Sequence, residues 1–236
     1  MEKVVYLLWR PAGTGVEDWA AGLRTEVAPA LAAEGARGVQ VNVADGAVAG
    51  AQLRLAELDP QPEAIVGVWV DSARDAARAG LDAALGAAAD RLAAYVVTES
   101  EPLPNTAHPA APGERTPGFA NMALLRRPAE MTPEAWIDAW HNGHTEVAIE
   151  IQSTFGYVQN AVVRPLTAGA PAIDAVVEEL FPIEALTSLH AFFAAPDDET
   201  LTDHLTRMGE STGRFGADRH VDVIPTSRYV VLPPPG

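Results

Sequence analysis

Two stretches, VVYLLWRP at residues 4–11 and ANMALLRRP at residues 120–128, begin the two halves of this chain in the same way. Each is an apolar run that a proline closes, and the closing prolines lie 117 positions apart. The same shift carries Trp19 onto Trp136, and each tryptophan lies in a segment with the apolar spacing of an amphipathic helix. A repeat of this length predicts two related domains.

Both halves continue with one order of elements after the first strand. A helix, two β-rich runs, a second helix and a last β-rich run follow in each half. This β-α-β-β-α-β order predicts a ferredoxin-like unit, in which a four-stranded antiparallel sheet carries two helices on one face. We therefore predict an α+β fold in which the open faces of two such sheets cover each other as one central β-barrel. The predicted helices are 16–34, 72–92, 133–150 and 197–212, and the predicted later strands are 37–43, 64–70, 93–99, 155–163, 175–181 and 227–233.

A proline-rich segment, EPLPNTAHPAAPGERTPG at residues 101–118, separates the halves. Proline lacks an N–H donor and restricts the residue before it, so this composition predicts an extended connection. We predict a first domain at 1–102, a linker at 103–117 and a second domain at 118–236.

Composition excludes several classes of function. The 16 Lys and Arg residues stand against 32 Asp and Glu residues, and the resulting charge of −16 repels phosphate backbones, so we expect no nucleic-acid partner. The chain has no cysteine, which rules out disulfides, thiolate nucleophiles and iron–sulfur clusters and fits a reducing cytoplasm. The N-terminus lacks the pattern of a signal peptide and no run of 18 apolar residues occurs, so we expect a cytoplasmic protein that does not bind membranes.

The second half contains four recognisable motifs: MTPEAWIDAWHNGH at 131–144, GYVQN at 156–160, DAVVEELF at 174–181 and RHVD at 219–222. Through these motifs it resembles the EthD family of dimeric α+β-barrel proteins. The resemblance covers residues 118–236, whereas the first half matches by element order and looks like a degenerate copy. One departure is that Thr145 and Glu146 follow the histidine where the family commonly has a proline. The resemblance implies a tandem pseudo-dimer within one chain and leaves a further homodimer open.

The helix motif places one histidine on a buried stripe. Trp136, Trp140 and His144 are spaced i, i+4 and i+8, so they share one helix face that should pack on the sheet. We interpret Trp136 as core. His144 needs a polar partner if it is buried, and the Asn142–Gly143 pair weakens the helix, which places His144 near a helix end.

The repeat offers a comparison between the halves. By eye, Val27 stands in the first half where the second has His144, and Gly67 stands where it has Glu178. Counting back from Tyr95 and Tyr229 aligns Ala88 with Asp222. Since the first half lacks all three polar groups, we predict one functional pocket, in the second half.

His144, Glu178 and Asp222 are our predicted catalytic residues. A carboxylate that accepts from one imidazole nitrogen fixes the tautomer and leaves the other nitrogen for substrate, which forms a proton-transfer dyad. The residues leave open which carboxylate is the partner. The predicted substrate-binding residues are Trp140, Tyr157, Gln159, Asn160, Arg126 and His220.

Together these features predict a cofactor-independent enzyme that performs acid–base chemistry on a hydrophobic or aromatic small molecule. The reaction type stays open among cyclisation, dehydration, isomerisation and oxygenation. A non-catalytic small-molecule carrier with the same pocket is the first alternative. A haem or metal protein is the second alternative. The H-x-x-H spacing of His141 and His144 permits a metal pair, and haem binding through His144 is suggested only by analogy with related barrels. Without a third ligand we expect no metal site and no cofactor.

Overall fold

The computed structural model describes residues 1–235, and its centre is a closed barrel of eight antiparallel strands in the order β1-β3-β2-β8-β5-β7-β6-β4. The strands are rich in valine, leucine and aromatic residues, which suit a pleated surface that is covered on both faces. They are β1 (Glu2–Trp9), β2 (Gly38–Val43), β3 (Ala64–Val70), β4 (Arg91–Leu103), β5 (Phe119–Leu125), β6 (Gly156–Pro165), β7 (Ala175–Phe181) and β8 (Asp222–Leu232).

Each half contributes one four-stranded sheet to the barrel. The first sheet has the order β4-β1-β3-β2 and the second has the equivalent order β8-β5-β7-β6. Two seams close the barrel, because β2 pairs with β8 and β4 pairs with β6. The predicted α+β architecture, with two ferredoxin-like units around one central barrel, is confirmed.

The helices lie outside the barrel. They are α1 (Val16–Gly22), α2 (Ala28–Ala33), α3 (Asp75–Ala87), α4 (Pro133–Asp138), α5 (Thr145–Ile151), α6 (Leu189–Phe192) and α7 (Asp198–Gly213). Thr132 caps α4, since its hydroxyl accepts from Ala135 N at 3.2 Å. No helix within residues 1–235 has the length and apolarity needed to cross a membrane.

The first long helix of each half contains a π-helical turn. In the first half Leu23–Val27 joins α1 to α2, and in the second half Ala139–His144 joins α4 to α5. The helix therefore continues past His144, and our placement of this histidine near a helix end is wrong. The wider turn keeps its backbone bonded, because both the N–H and the hydroxyl of Thr145 donate to Trp140 O.

Strand alternation divides the barrel into an inner and an outer face. On β5, Met122 and Leu124 point inward and pack with Val5 and Leu7 of β1 in the barrel interior. The outer faces pack against helices, which forms one core in each half. The inner and outer faces of the second sheet therefore belong to different environments, and this decides which polar residues can meet.

The segment between β4 and β5 is anchored along the last strand. Gly113 N donates to Val230 O at 2.8 Å and Thr116 N donates to Arg228 O at 2.9 Å. The connection thus follows the edge of β8 and brings β5 to its place between β8 and β7.

Candidate active site in the second half

A cavity of about 210 Å³ lies between the outer face of the second sheet and the helices that cover it. Aromatic and aliphatic side chains form most of its wall, and a few polar groups interrupt them. Cavities with this mixture are typical of small-molecule sites. The aromatic residues that line it are Trp140, Tyr157, Phe192, Phe193 and Phe215, and the polar ones include Asn121, His144, Gln152, Glu179 and Thr212.

Three polar residues form a row across the sheet floor of this cavity. Glu179 of β7 is the register partner of Asn121 on β5 and of Tyr157 on β6. Directly opposed residues of neighbouring strands point to the same face, so the three side chains stand side by side. Asn121 is buried, and its Oδ1 has no hydrogen-bond partner among the described residues.

Glu179 is the carboxylate of the cavity. Burial raises the pKa of Glu179 to about 7, because the charged form loses hydration. The Gln152 amide is oriented with its nitrogen toward Ala148 O and Glu179 Oε1. In this orientation it donates to Glu179 Oε1 at 3.1 Å. Burial, and then the nearby Glu179 charge, raises the pKa of Tyr157, so its phenol stays protonated. A carboxyl group that titrates near neutrality can both accept and return a proton at physiological pH.

His144 lies on the helix side of the same cavity. Its Nδ1 is 2.9 Å from Ser211 Oγ on α7, and its ring centroid is 5.0 Å from that of Phe215. Burial lowers the pKa of His144 to about 4, so the imidazole is neutral at pH 7. Ser211 Oγ makes no other hydrogen bond within residues 1–235, so we assign its proton to this contact. That assignment leaves the imidazole proton on Nε2.

The two tryptophans of the stripe differ in role. Trp136 Nε1 donates to Phe215 O at 3.0 Å, which satisfies a buried donor and fixes the loop after α7, as expected of a core residue. Trp140 is completely buried, lines the cavity and lies with its Nε1 3.5 Å from the Tyr157 hydroxyl. The predicted helix stripe therefore faces the sheet, and its second and third members reach the cavity.

Glu178 does not meet His144. Its carboxylate lies inside the barrel, where it accepts from Gln40 Nε2 at 2.9 and 3.0 Å and from Asn42 Nδ2 at 2.8 Å, and Arg228 Nε is 3.0 Å away. Since neighbouring residues on a strand point to opposite faces, Glu178 and Glu179 are on opposite sides of the sheet. The predicted His144–Glu178 dyad is therefore wrong, and Glu179 is the glutamate of the pair that lines the cavity with His144.

Asp222 is also directed away from the cavity. It is completely buried, and its Oδ1 accepts from Glu57 N, Leu58 N and Gln61 Nε2 at 2.9–3.0 Å. Burial alone would raise the pKa of Asp222, but the donors outweigh it and hold this pKa below its usual value. The predicted pairing of Asp222 with His144 is therefore wrong.

The two predicted basic residues belong to the surroundings of Asp222. Arg126 Nη2 donates to Asp222 Oδ2 at 2.9 Å, and Arg126 Nη1 donates to His220 O at 2.8 Å. The His220 side chain is exposed, and its Nδ1 is 3.1 Å from Glu57 Oε1. Neither residue lines the cavity, so the prediction that they bind substrate there is wrong.

Strand β6 contributes one of its three predicted residues to the cavity. Tyr157 lines it, whereas Gln159 joins sheet to helix by donating from Nε2 to Thr145 Oγ1 at 2.7 Å. Asn160 points into the barrel and donates to Val176 O at 3.0 Å. His141 packs edge-on against Trp140, and the described residues contain no cluster of three His, Asp or Glu side chains that could hold a metal ion.

The functional residues that sequence reasoning missed are Asn121, Gln152, Glu179 and Ser211. The parity of β7 could have identified Glu179, since the helix stripe packs on the outer face and only one glutamate of the pair can point there. Asn121 lies within the apolar run that begins the second half and was overlooked there. Nothing local singles out Gln152 or Ser211, because each acts through a partner that is distant in sequence.

The barrel built from two ferredoxin-like halves, with a cavity under the helices of one half, places the chain in the dimeric α+β-barrel class. Residues 128–207, within the second half of the chain, match the model of the EthD domain. No curated protein sequence matches the chain.

Two solved structures are similar to the chain at low sequence identity. An anthrone oxidase-like protein superposes with a TM-score of 0.58 at 11% identity, over 98% of this chain and 93% of that one. A candidate monooxygenase from Lactobacillus acidophilus NCFM gives a TM-score of 0.49 at 10% identity, over 99% of this chain and 96% of that one. At 11% identity the likeness to the anthrone oxidase-like protein supports the fold alone.

Proposed function

We propose that the cavity of the second half binds a hydrophobic, ring-bearing small molecule and that Glu179 transfers a proton to and from it. The observation that carries the proposal is a carboxyl group with a pKa of about 7 inside an apolar cavity, next to Asn121, whose amide oxygen lacks a protein partner. Perturbed acids in largely apolar pockets are the usual mark of acid–base catalysis.

The reaction that fits this arrangement best is proton abstraction next to a carbonyl group. The Glu179 carboxylate takes a proton from the carbon, the C–H electron pair moves toward the carbonyl oxygen, and an enolate and a protonated Glu179 result. Return of the proton to another position would give an isomerisation. The chain itself supplies the groups for this step.

The enolate oxygen needs hydrogen-bond donors in the same cavity. Asn121 Nδ2, the Tyr157 hydroxyl and, in the assigned tautomer, His144 Nε2–H are the candidates. Donors that are fixed before the reaction and shielded from water stabilise a developing oxyanion strongly. A neutral imidazole suits this role, because its low pKa keeps it from competing for the proton that Glu179 carries.

Hydrogen exchange into an enolisable aromatic ketone tests the proposal without knowledge of the natural substrate. We expect the protein to accelerate deuterium uptake at C1 of 2-tetralone in D₂O, followed by NMR, with a rate that rises through a pH of about 7 as Glu179 ionises. Glu179→Gln should lower this acceleration by about 10²–10⁴-fold, the usual contribution of a general base. Glu146→Gln, on the exposed side of α5, is the matched control and should retain it.

A non-catalytic carrier is the second candidate, and the predominantly apolar lining favours it. Binding of 2-naphthol, a flat analogue of the 2-tetralone enol, separates the two. If wild type and Glu179→Gln bind 2-naphthol equally and neither accelerates the exchange of 2-tetralone, the carrier function is supported. Full exchange activity in Glu179→Gln would refute the proposed role of Glu179.

A further inference from the structure

The cavity of the second half is closed in part by the first half. Leu53 and Leu55 lie in the crossover between β2 and β3, and both line the cavity. Leu55 is also 44% exposed, so one side of it faces the cavity and the other faces solvent. At this point the wall of the cavity is a single side chain thick.

The crossover is attached to the second half by few backbone bonds. Leu55 and Val223 exchange both of their backbone hydrogen bonds, at 3.2 and 2.9 Å, in an isolated bridge. Gln52 N donates to Leu186 O at 3.0 Å. Residues 49–63 otherwise lie outside the helices and strands, unlike β5, β6 and β7, which form the cavity floor. Segments of this kind open locally at much lower free energy than a sheet does.

Asp222 makes the strongest attachment of this crossover. Its Oδ1 accepts from two successive backbone N–H groups, of Glu57 and Leu58, and from Gln61 Nε2. Gln61 Nε2 also donates to Leu55 O, which links the bound turn back to the residue over the cavity. The carboxylate is held in turn by Arg126, and hydrogen bonds to a charged acceptor are stronger than those between neutral groups.

We propose that residues 52–61 of the first half are the removable wall through which ligands enter the cavity of the second half, with Leu53 and Leu55 limiting what fits. Asp222 is a positioning residue that holds this wall shut. The inference rests on the proposed function only in assuming that ligands bind in the same cavity, and it does not depend on proton transfer by Glu179.

A reversible cross-link tests the wall in the intact chain, which has no cysteine of its own. Leu55→Cys with Val223→Cys places two thiols across a hydrogen-bonded antiparallel pair, where the Cα separation of about 5.5 Å suits a disulfide. Access of a small molecule to the cavity is measured by acrylamide quenching of Trp140 fluorescence. The Trp140 component is the difference in quenching between this protein and the same protein carrying Trp140→Phe. We expect oxidation to remove the Trp140 component and reduction to restore it.

A second cysteine pair controls for joining the halves. Thr98→Cys with Ala161→Cys links β4 to β6 at the other seam of the barrel, and its oxidation should leave Trp140 quenching unchanged. If Trp140 is quenched equally in the oxidised and reduced forms of the Leu55–Val223 cysteine pair, the proposal is overturned. The same holds if Trp140 is not quenched in either form.

The positioning role of Asp222 is tested with Asp222→Asn, which keeps the shape of the side chain and removes its negative charge. We expect increased Trp140 quenching in this variant and a return to the low value when the Leu55–Val223 disulfide is added and oxidised, a rescue that general destabilisation would not produce. Unchanged quenching in Asp222→Asn would refute its positioning role. Because acrylamide undergoes no proton transfer, these results are independent of the 2-tetralone exchange that tests Glu179.

Discussion

The two halves build the same sheet and helices but fill the space between them differently. In the second half Glu179 is the register partner of Asn121 and of Tyr157. In the first half the equivalent residue, Val68, is the register partner of Val4 and of Val39. Three valines thus occupy the positions of the three polar residues on the cavity floor.

The helix side shows the same contrast. The shift of 117 residues places Leu23 and Val27 where the second half has Trp140 and His144, and the two π-helical turns coincide. Tyr6, which is fully buried and donates to Asp82 at 2.9 Å, occupies the position of the small Ala123 that borders the cavity. In the first half, valines and Tyr6 therefore occupy the sheet positions that border the cavity in the second half.

Equivalent indole bonds extend the match to the second helix. Trp19 Nε1 donates to Ala88 O, and Trp136 Nε1 donates to Phe215 O. Ala88 thus corresponds to Phe215, not to Asp222 as counted from the tyrosines. By strand register Asp222 corresponds to Ala93, since each pairs with an equivalent leucine of the first strand.

This contrast teaches that the fold does not require the polar set. A half with valine and leucine at these positions forms the same architecture, so the second half retains a buried acid and a buried histidine at a cost in stability. Natural proteins carry such costs mainly at functional sites.

The largest effect is expected when the acid is placed in the first half. Val68→Glu puts a carboxylate at a site that is completely buried and flanked by Val4 and Val39 on the neighbouring strands. An uncompensated buried charge costs roughly 3–5 kcal/mol, so we expect a loss of this size in the free energy of unfolding at pH 8, measured with urea. Val163→Glu, at a 60% exposed position of β6, is the control and should change stability little. A mild effect at Val68 would mean that the first half also contains usable space.

The architecture could be predicted from the sequence because it depends on redundant signals. Apolar periodicity, the repeat of 117 residues and the proline-rich connection all indicate the same element order, and an error of a few residues in one strand does not change it. The predicted start of β8 illustrates this. The strand begins at Asp222, five residues before the predicted residue 227, and the element order is unchanged.

The site could be predicted only in part because it depends on single-residue parity and distant contacts. His144 and Trp140 follow from helix spacing, and Tyr157 from its place on β6. Choosing Glu178 over Glu179 reversed the face of the sheet, and a reversal of this kind moves a carboxylate from the cavity to the barrel interior. The roles of Asp222 and Ser211 follow from contacts across 165 and 67 residues, which local patterns do not encode.

The histidine allows a second test, of intermediate size. Burial lowers the pKa of His144 from 6.5 to about 4, so its contribution to stability is complete above pH 6.5 and is lost as the pH falls toward 4. His144→Val introduces the residue that the first half has at this position, and it should remove this loss. Relative to wild type, its free energy of unfolding should rise by on the order of 3 kcal/mol as the pH falls from 6.5 to 4. Urea unfolding across this range is the measurement, with exposed His108→Val as the control. Parallel curves for wild type and His144→Val would show that the imidazole is hydrated.

Glu179 should have the opposite pH dependence, with a smaller amplitude because its side chain borders the cavity. Its pKa is raised from 4.5 to about 7, so the folded state holds a proton that the unfolded state has released. Its contribution to stability is complete below pH 4.5 and is lost as the pH rises through 7. Glu179→Gln should remove this loss and exceed wild type by on the order of 2 kcal/mol at pH 8, with no such gain at pH 4.5.

Unfolding of Glu179→Gln and of the control Glu146→Gln in urea at both pH values decides the matter. A gain at pH 8 together with lost 2-tetralone exchange would show that one buried carboxyl group both weakens the second half and carries its chemistry. If Glu179→Gln were instead less stable than wild type at pH 8, the ionised carboxylate would be well solvated or paired in the cavity. In that case the difference between the halves would concern ligand shape, and the carrier function would gain support over proton transfer.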